Sequence, residues 1–247
     1  MTSETQRTAR SVRDEMLHAA VGLLNDQGPD ALQTRRVASA AGTSTMAVYT
    51  HFGGMRGLIA EVAEEGLREF DAALTVPRTD DPVADLFTVG TAYRHYAFGR
   101  PHMYRLMFGS TSAHGINAPA HNVLTLTVAE IEQHYPSFAH VVRGVHRCLL
   151  AGRIGADPAT EQAAQGAVPD KAIVATAAQF WALIHGFVML ELAGYYGDDG
   201  AAVTPLLDSM TSKLLVALGD SPERVTHSQL AATRAGATHE TPGTRLP

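Results

Sequence analysis

Side chains that can hydrogen bond to nucleic acid are concentrated in one short segment of the sequence. Residues 34–52 predict two short helices, because Thr34 is a good N-cap for the first and Ser44 or Thr45 for the second. Gly42 breaks the chain between them. A turn of this length sets the second helix at a steep angle, so that its side chains can enter a DNA major groove, about 12 Å wide. Such helix pairs are common in α-helical proteins, and the spacing alone does not establish DNA binding.

The residue types in this segment carry a more specific signal. Residues 41–44 are AGTS and residues 48–52 are VYTHF, a combination rarely expected by chance in an unrelated helical protein. With their neighbours they resemble the DNA-binding domain of the TetR family of bacterial transcriptional regulators. The likeness covers about residues 11–70. The segment from Trp181 to Phe187 is similar to the Trp…His-Gly element of one group of actinobacterial-type regulators in that family, and it names no ligand.

The resemblance implies a role for individual residues. It places one side of the second helix in the groove, where hydroxyls would donate to or accept from base edges and apolar side chains would touch a thymine methyl. These groove-facing candidates are Thr45, Met46, Ala47 and Thr50. Arg35 matches a position that reaches a base, and a guanidinium is the best single reader of guanine. The phosphate-binding candidates are Thr34, Tyr49 and His51, and Ser44 completes the expected DNA-binding set.

The chain departs from the family pattern at one phosphate contact. Met55 stands where many members have a lysine, and Arg56 follows one position later, turned by about 100° around the helix axis. Three arginines near the N-terminus, Arg7, Arg10 and Arg13, are candidates to replace that contact on the backbone or in a minor groove. The alternative is a solvated arm that makes no contact with DNA.

The apolar periodicity predicts an all-α protein. A three-helix helix-turn-helix domain is expected at 1–76, with a flexible arm at 1–10, followed by a linker that contains two prolines. A larger helical domain for effector binding and dimerisation is expected at 82–219, and residues 220–247 are predicted to be largely mobile because they lack sustained apolar periodicity. Helices are predicted at about 11–27, 34–41, 45–52, 55–74, 83–98, 101–108, 120–135, 137–153, 170–195 and 205–218, the last capped by Thr204.

The larger domain offers an apolar stripe and an aromatic cluster. Leu206, Leu207, Met210, Leu214, Leu215 and Leu218 form a stripe too wide for a helix that covers only its own core, and this favours an obligate homodimer built on a four-helix bundle. Aromatic and flexible side chains further upstream are typical of an apolar ligand pocket. The expected ligand-binding residues are Tyr93, Tyr96, Met103, Met107, Trp181 and His185. Ordinary core packing is the alternative interpretation of the same residues.

Composition excludes several other classes of protein. The net charge of −6 argues against binding nucleic acid through bulk charge, so any DNA contact must be local. A single cysteine, Cys148, excludes an intrachain disulfide and indicates a reducing compartment, hence the cytoplasm. The uncharged run at 172–190 is interpreted as a helix buried both against its own core and against a partner subunit, and not as a membrane span. No metal ligand set, cofactor loop or catalytic motif is found, so neither a metal, a cofactor nor an enzyme is expected.

The sequence therefore predicts a dimeric, ligand-responsive transcriptional regulator that binds double-stranded DNA at a palindromic operator. The expected action is repression that a small molecule relieves by shifting the equilibrium between two spacings of the DNA-binding domains. The second hypothesis is a helical protein-interaction module whose first three helices dock a partner protein in place of DNA.

Overall fold

A computed structural model of the chain describes residues 11–108, 122–155, 169–197 and 199–239. Within those ranges the regular structure is entirely helical, which confirms the predicted all-α fold. The helices are α1 Val12–Gln27, α2 Thr34–Ala40, α3 Thr45–Phe52, α4 Met55–Ala73, α5 Pro82–Gly99, α6 Pro101–Phe108, α7 Val128–His134, α8 Pro136–Leu150, α9 Asp170–Leu192, α10 Ser209–Ala217 and α11 Pro222–His239. Short 3-10 turns occur at Pro29–Ala31 and Val123–Thr125, and a π-helical segment at Val203–Asp208 leads into α10.

The chain divides into two compact units. As far as the structure describes them, the first unit comprises Met1–Arg68 with Arg100–Ala118, and the second comprises Glu69–Gly99 with Pro119–Pro247. The division falls inside α4 and not in the expected linker at 76–82. Helix α6 also belongs to the first unit, where Met103 is fully buried close to the backbone of α4.

The first unit is built on α1, α2, α3 and α6 together with α4 up to Arg68. Ser11 caps α1 by accepting a hydrogen bond from the Asp14 amide at 3.2 Å, and the helix ends at Gly28, whose φ of +79° lies in the left-handed region. The buried face of α1 recurs every four residues, as the sequence predicts. Its members are Met16, Ala20 and Leu24. Helix α2 begins at Thr34, so the N-cap is Gln33 and not Thr34 as predicted.

The second unit is organised around α5, α8 and α9, which contact one another. Helix α9 is the one described helix whose length and hydropathy would allow it to cross a membrane. Ten of its 23 residues are buried, and it contacts α5, α7 and α8 within the second unit. The same composition is typical of the core helix of a soluble protein.

The prediction of a mobile C-terminal tail is wrong for most of its length. Residues 222–239 form α11, which lies against α5, and Val225 and Ser228 are each 1% exposed. Residues 240–247 lie outside the described residues. Helix α11 was not predicted from apolar periodicity, because the contacts that hold it include buried polar groups, which leave a weak apolar pattern.

Three predicted boundaries in the second unit also differ from the structure. The helix expected at 120–135 is a 3-10 turn followed by α7, which starts at a capping box between Thr127 and Glu130. Pro136 begins α8, since a proline fits the first turn of a helix. Thr204 lies inside the π-helical segment, so it does not cap the next helix.

Candidate nucleic-acid interface and ligand cavity

Helix α3 is short but held at both ends. The Ser44 hydroxyl oxygen accepts a hydrogen bond from the Ala47 amide at 3.3 Å, which confirms Ser44 as the N-cap. Gly53 ends the helix with a φ of +68° and donates its amide to the Tyr49 carbonyl at 3.0 Å. A helix of eight residues is too short to be stable alone in water, and these caps help to hold it.

The two faces of α3 differ sharply in exposure. Val48 is fully buried and Phe52 is 9% exposed, four residues apart on the inner face. On the outer face Met46 is 69% exposed and Tyr49 is 58% exposed. Large side chains of this kind rarely stay in solvent without a function when they lie together, and this face is free to contact a partner.

The structure leaves every expected DNA-binding residue accessible. Thr34 and Ala47 are half-buried. The exposed members are Arg35, Ser44, Thr45, Met46, Tyr49, Thr50 and His51. Two of the hydroxyls already have local partners, because Thr50 donates to the Met46 carbonyl at 3.1 Å and Ser44 caps the helix. Each hydroxyl still has free hydrogen-bonding capacity for a base or phosphate.

The arginines around α3 differ in their partners. Arg36 donates to the Gln27 side chain, whereas Arg35 has no side-chain partner among the described residues. Arg13 forms an ion pair with Glu61 and lies 5.3 Å from the centre of the Phe52 ring. Arg13 therefore packs against the Phe52 ring of α3, whereas the sequence made it a candidate to contact DNA. Arg7 and Arg10 lie outside the described residues, and Arg56 is exposed.

Gly57, which was not predicted to have a role, allows the first turn of α4 to lie close to the end of α3. A Cβ atom at Gly57 would lie 1.9 Å from the carbonyl oxygen of Phe52, far inside van der Waals contact. Glycine is therefore required there for the end of α3 to meet the first turn of α4. A glycine in the first turn of an otherwise good helix is the signal that could have indicated it.

The second unit contains a cavity of about 280 Å³ lined by α5, α8, α9, the π-helical segment and α10. Its apolar wall includes Leu86, Phe87, Val141, Phe180, Ile184 and Leu207. The polar side chains that line it are Thr91, Tyr93, Arg94, His95, Asp208 and Thr211. A mainly apolar lining with a few polar groups is typical of a site for a small organic molecule.

Comparison with known proteins identifies the family. The family model described as "Bacterial regulatory proteins, tetR family" matches residues 16–62, and the model described as "Tetracyclin repressor-like, C-terminal domain" matches residues 86–214, more than half of the chain. The chain belongs to the TetR family. This confirms the family that the AGTS and VYTHF segments predict.

Individual proteins resemble the chain over different lengths. The tetracycline repressor protein class A from transposon 1721 of Escherichia coli is 39% identical over 77 residues, 31% of this chain and 35% of that protein. The chain thus matches about a third of the length of that relative. An HTH-type transcriptional regulator of Mycobacterium tuberculosis is 24% identical over 92% of this chain and 89% of its own. The crystal structure of RolR in complex with resorcinol covers 96% of both chains with a TM-score of 0.57 and 13% identity, and it shows a shared fold.

The residues expected to bind a ligand are not gathered in the cavity. Tyr93 lines it, whereas Tyr96, Trp181 and His185 lie elsewhere in the second unit. The Tyr93 hydroxyl is 3.2 Å from Nδ1 of His185, and burial lowers the pKa of His185 below its usual value. Met103 and Met107 are buried in the first unit. A ligand-binding role for these residues stays a prediction.

Helix α8 holds the segment that leads from α4 to α5. Arg147 donates to the Asp85 carboxylate and, at 2.6 Å, to the Thr79 carbonyl. At the other end of the same segment, the His140 Nε2 lies 2.8 Å from an Asp71 carboxylate oxygen. Burial lowers the pKa of His140, and the bond to Asp71 opposes that shift.

A buried polar network joins the two ends of the second unit. Arg153 is hydrogen bonded to Asp220 at 2.7 to 3.2 Å, to Asp81 at 2.9 Å and to Ser228 at 3.0 Å. The pKa of Arg153 is raised because hydrogen bonds and charges from the two aspartates outweigh the effect of burial. The network ties the start of α5, the end of α8 and the start of α11 to one guanidinium.

The other polar residues among those described provide neither a metal site nor a reactive thiol. No group of three or more His, Cys, Asp or Glu side chains in the described ranges could hold a metal ion. Cys148 is buried, and burial raises the pKa of its thiol to about 12, so the thiol stays protonated at neutral pH.

Proposed function

We propose that this TetR-family chain is a DNA-binding transcriptional repressor that a small molecule releases from its operator. The observation that carries the proposal is the two-faced α3. Its inner face, Val48 and Phe52, is buried, while Met46 and Tyr49 stand in solvent on a helix capped at both ends. A rigid short helix with an exposed polar and apolar face is what major-groove recognition requires. Membership of the TetR family does not favour the alternative hypothesis, a module that docks a partner protein in place of DNA.

The residue roles follow from exposure and chemistry. Arg35 reads a guanine, because its guanidinium is exposed and has no side-chain partner among the described residues. Thr45, Met46, Ala47 and Thr50 contact base edges. The phosphate-binding residues are Thr34, Ser44, Tyr49 and His51.

A homodimer places two copies of α3 on a palindromic operator. Support comes from an exposed apolar surface on α9 and α10 and the segment before α10. Its large members are Leu190, Leu206, Met210 and Val216, between 36% and 41% exposed. On the same side of α9, Ala182 is exposed and the Cα of Gly186 faces open space, so that a partner helix can approach closely. Light scattering should give twice the 26.3 kDa mass of the chain.

The cavity in the second unit is the proposed effector site. The proposed location of the protein is the cytoplasm. RolR, which shares the fold, holds resorcinol in its crystal structure, and the tetracycline repressor is named for its own drug. A cavity of about 280 Å³ suits a molecule of comparable size to resorcinol or somewhat larger.

The test uses two neighbouring arginines of α2. Duplexes selected from a random pool by the full chain should define a symmetric site, and Arg35→Ala should weaken binding to it by about 1 to 3 kcal/mol and relax the choice at one base pair per half-site. Arg36→Ala is the matched control, because Arg36 is bonded to Gln27, and it should leave base choice unchanged. Tyr49→Phe should weaken binding to all duplexes alike.

The dependence on salt separates DNA binding from protein docking. Affinity for the selected duplex should fall steeply as salt rises, because bound phosphates release counterions. A selection that yields no symmetric site, or Arg35→Ala and Arg36→Ala variants with the same sequence preference as the unaltered protein, would contradict the proposal.

A further inference from the structure

The cavity of the second unit has one apolar wall and one charged side chain without a charged partner. Its inner wall is formed by buried aliphatic and aromatic residues such as Leu86, Phe180 and Ile184. Polar side chains project from α5 and from the segment that contains Asp208. A ligand that fits must therefore be largely apolar and polar at one end.

The positive charge in the cavity lining is already neutralised. Arg94 donates two hydrogen bonds of 2.8 Å to the Glu191 carboxylate, whose side chain is fully buried. Its guanidinium also lies 4.5 Å from the centre of the Phe98 ring. This bidentate pair leaves Arg94 little capacity to attract an anionic ligand.

The negative charge of Asp208 has no such partner. Its side-chain hydrogen bonds are to Gln229 and Thr204, both neutral, and no Lys, Arg or His of the described residues forms an ion pair with it. His95 also lines the cavity but is not within ion-pair distance of the Asp208 carboxylate. Burial raises the pKa of Asp208 above its usual value because it disfavours the charged carboxylate, and an adjacent cation would offset that effect.

Two backbone features belong to the lining of this cavity. Asp208 ends the π-helical segment, a widened turn that often occurs at functional sites. Gly90 of α5 also lines the cavity, and a Cβ atom there would meet nothing within 4 Å apart from its chain neighbours and the nearby backbone of its own helix. A glycine inside a helix costs about 1 kcal/mol relative to alanine, and here it leaves the cavity open.

We propose, on the basis of the effector site proposed above, that the ligand is a small apolar molecule carrying one cationic nitrogen, which pairs with Asp208 while the apolar part lies against the wall of α5 and α9. The carboxylate selects the cation over neutral or anionic molecules of the same shape. The apolar wall supplies most of the contact area.

Three probes of matched shape test the charge preference. The full chain is titrated by calorimetry with 4-phenylbutylamine, 4-phenylbutanol and 4-phenylbutyrate. The amine should bind at least about tenfold more tightly than the alcohol, and the carboxylate should bind most weakly. Equal affinity for amine and alcohol, or no binding of any probe at millimolar concentration, overturns the proposal.

Two variants and a control locate the effect. Asp208→Asn should abolish the preference for the amine and leave alcohol binding unchanged, because the shape of the side chain is retained. Asp80→Asn removes the same charge from an exposed position and should retain the preference. Gly90→Leu should block all three probes without loss of helix content, since its side chain would enter the cavity. A preference that survives in Asp208→Asn assigns the cation to another group and overturns the proposal.

Duplex binding separates this inference from the proposed function. If the chain binds its selected duplex and the amine fails to bind, the ligand class is wrong and the regulator stands. If no specific duplex is selected while the amine binds and depends on Asp208, the cavity is a cation site and the repressor function fails.

Discussion

The two units differ in how deeply some of their ion pairs are buried. In the first unit the Arg13–Glu61 pair is 44% and 25% exposed, so its charges remain near water. In the second unit Arg153 is 9% exposed, and the carboxylates of Asp220 and Glu191 are fully buried against arginines. The Arg13–Glu61 pair of the first unit therefore stays near water, whereas Arg94 and Arg153 use buried carboxylates to hold helices of the second unit together.

This difference explains where each unit is sensitive to mutation. Exposed pairs contribute little to stability because water screens them, while a buried charge that loses its partner is left without compensation. The second unit should thus be the more sensitive to a lost charge, and the first unit to a change in close packing.

The largest expected effect comes from breaking the buried network. Asp220→Ala should lower the free energy of unfolding by about 3 kcal/mol or more, because Arg153 stays buried with one acidic partner fewer. Arg68→Ala, which removes an exposed pair with Glu65 in the first unit, should cost no more than about 0.5 kcal/mol. Urea unfolding followed by circular dichroism measures both, and equal losses would remove the contrast between the units.

A smaller effect is expected from the junction between α3 and α4. Gly57→Ala should destabilise the first unit by about 1 to 3 kcal/mol and weaken duplex binding, because its Cβ would overlap the Phe52 carbonyl. Gly22→Ala is the matched control in α1, where a Cβ meets no atom within 4 Å, and it should stabilise by about 0.4 to 1 kcal/mol. The two changes are compared by thermal melting and by titration of the selected duplex. Identical effects of the two alanines would show that the close approach is unimportant.

The smallest effect concerns pH and the second unit. Because burial lowers the pKa of His140 below 6.5, the unfolded chain takes up a proton before the folded chain does as the pH falls. Stability should therefore decline below about pH 6.5, by about 2 °C or less in Tm between about pH 7 and pH 5.5. His185, whose pKa is also lowered by burial, contributes with the same sign.

His140→Gln tests this contribution without loss of the hydrogen-bond geometry. A glutamine amide can donate to Asp71 as His140 does, so the fold should be kept while part of the decline disappears. His227→Gln, at an exposed position on α11, is the matched control for the substitution itself. A pH profile unchanged by His140→Gln would assign the decline to other groups.

Much of the first unit is predictable because its determinants are local. Val48 and Phe52 are four residues apart, and Ser44 caps the same helix by accepting a hydrogen bond from the amide three residues later. The AGTS and VYTHF segments also lie within one stretch, so the family could be identified from the sequence. Gly57 escaped notice because its role depends on a carbonyl that only the folded chain brings near.

The second unit was less predictable because its determinants are distant in sequence. The prediction failed for α11, which is held by Arg153 and Ser228, 75 positions apart. The expected ligand-binding residues are divided between the units, because Met103 and Met107 are buried in the first unit and Tyr93 lies in the second. Aromatic and methionine side chains at helical spacing look the same in a core and in a pocket.

The sequence by itself determined the helical periods, the position of α3 and the segment that carries the family signature, since each depends on neighbours within one or two helical turns. Tertiary structure alone decided which charges are buried together, where a cavity opens and which carboxylate in it lacks a charged partner. Those properties arise from distances between residues far apart in the chain, and packing sets such distances. Asp208 is one acidic residue among 25 in the sequence, and it becomes distinctive only beside the apolar wall of the second unit.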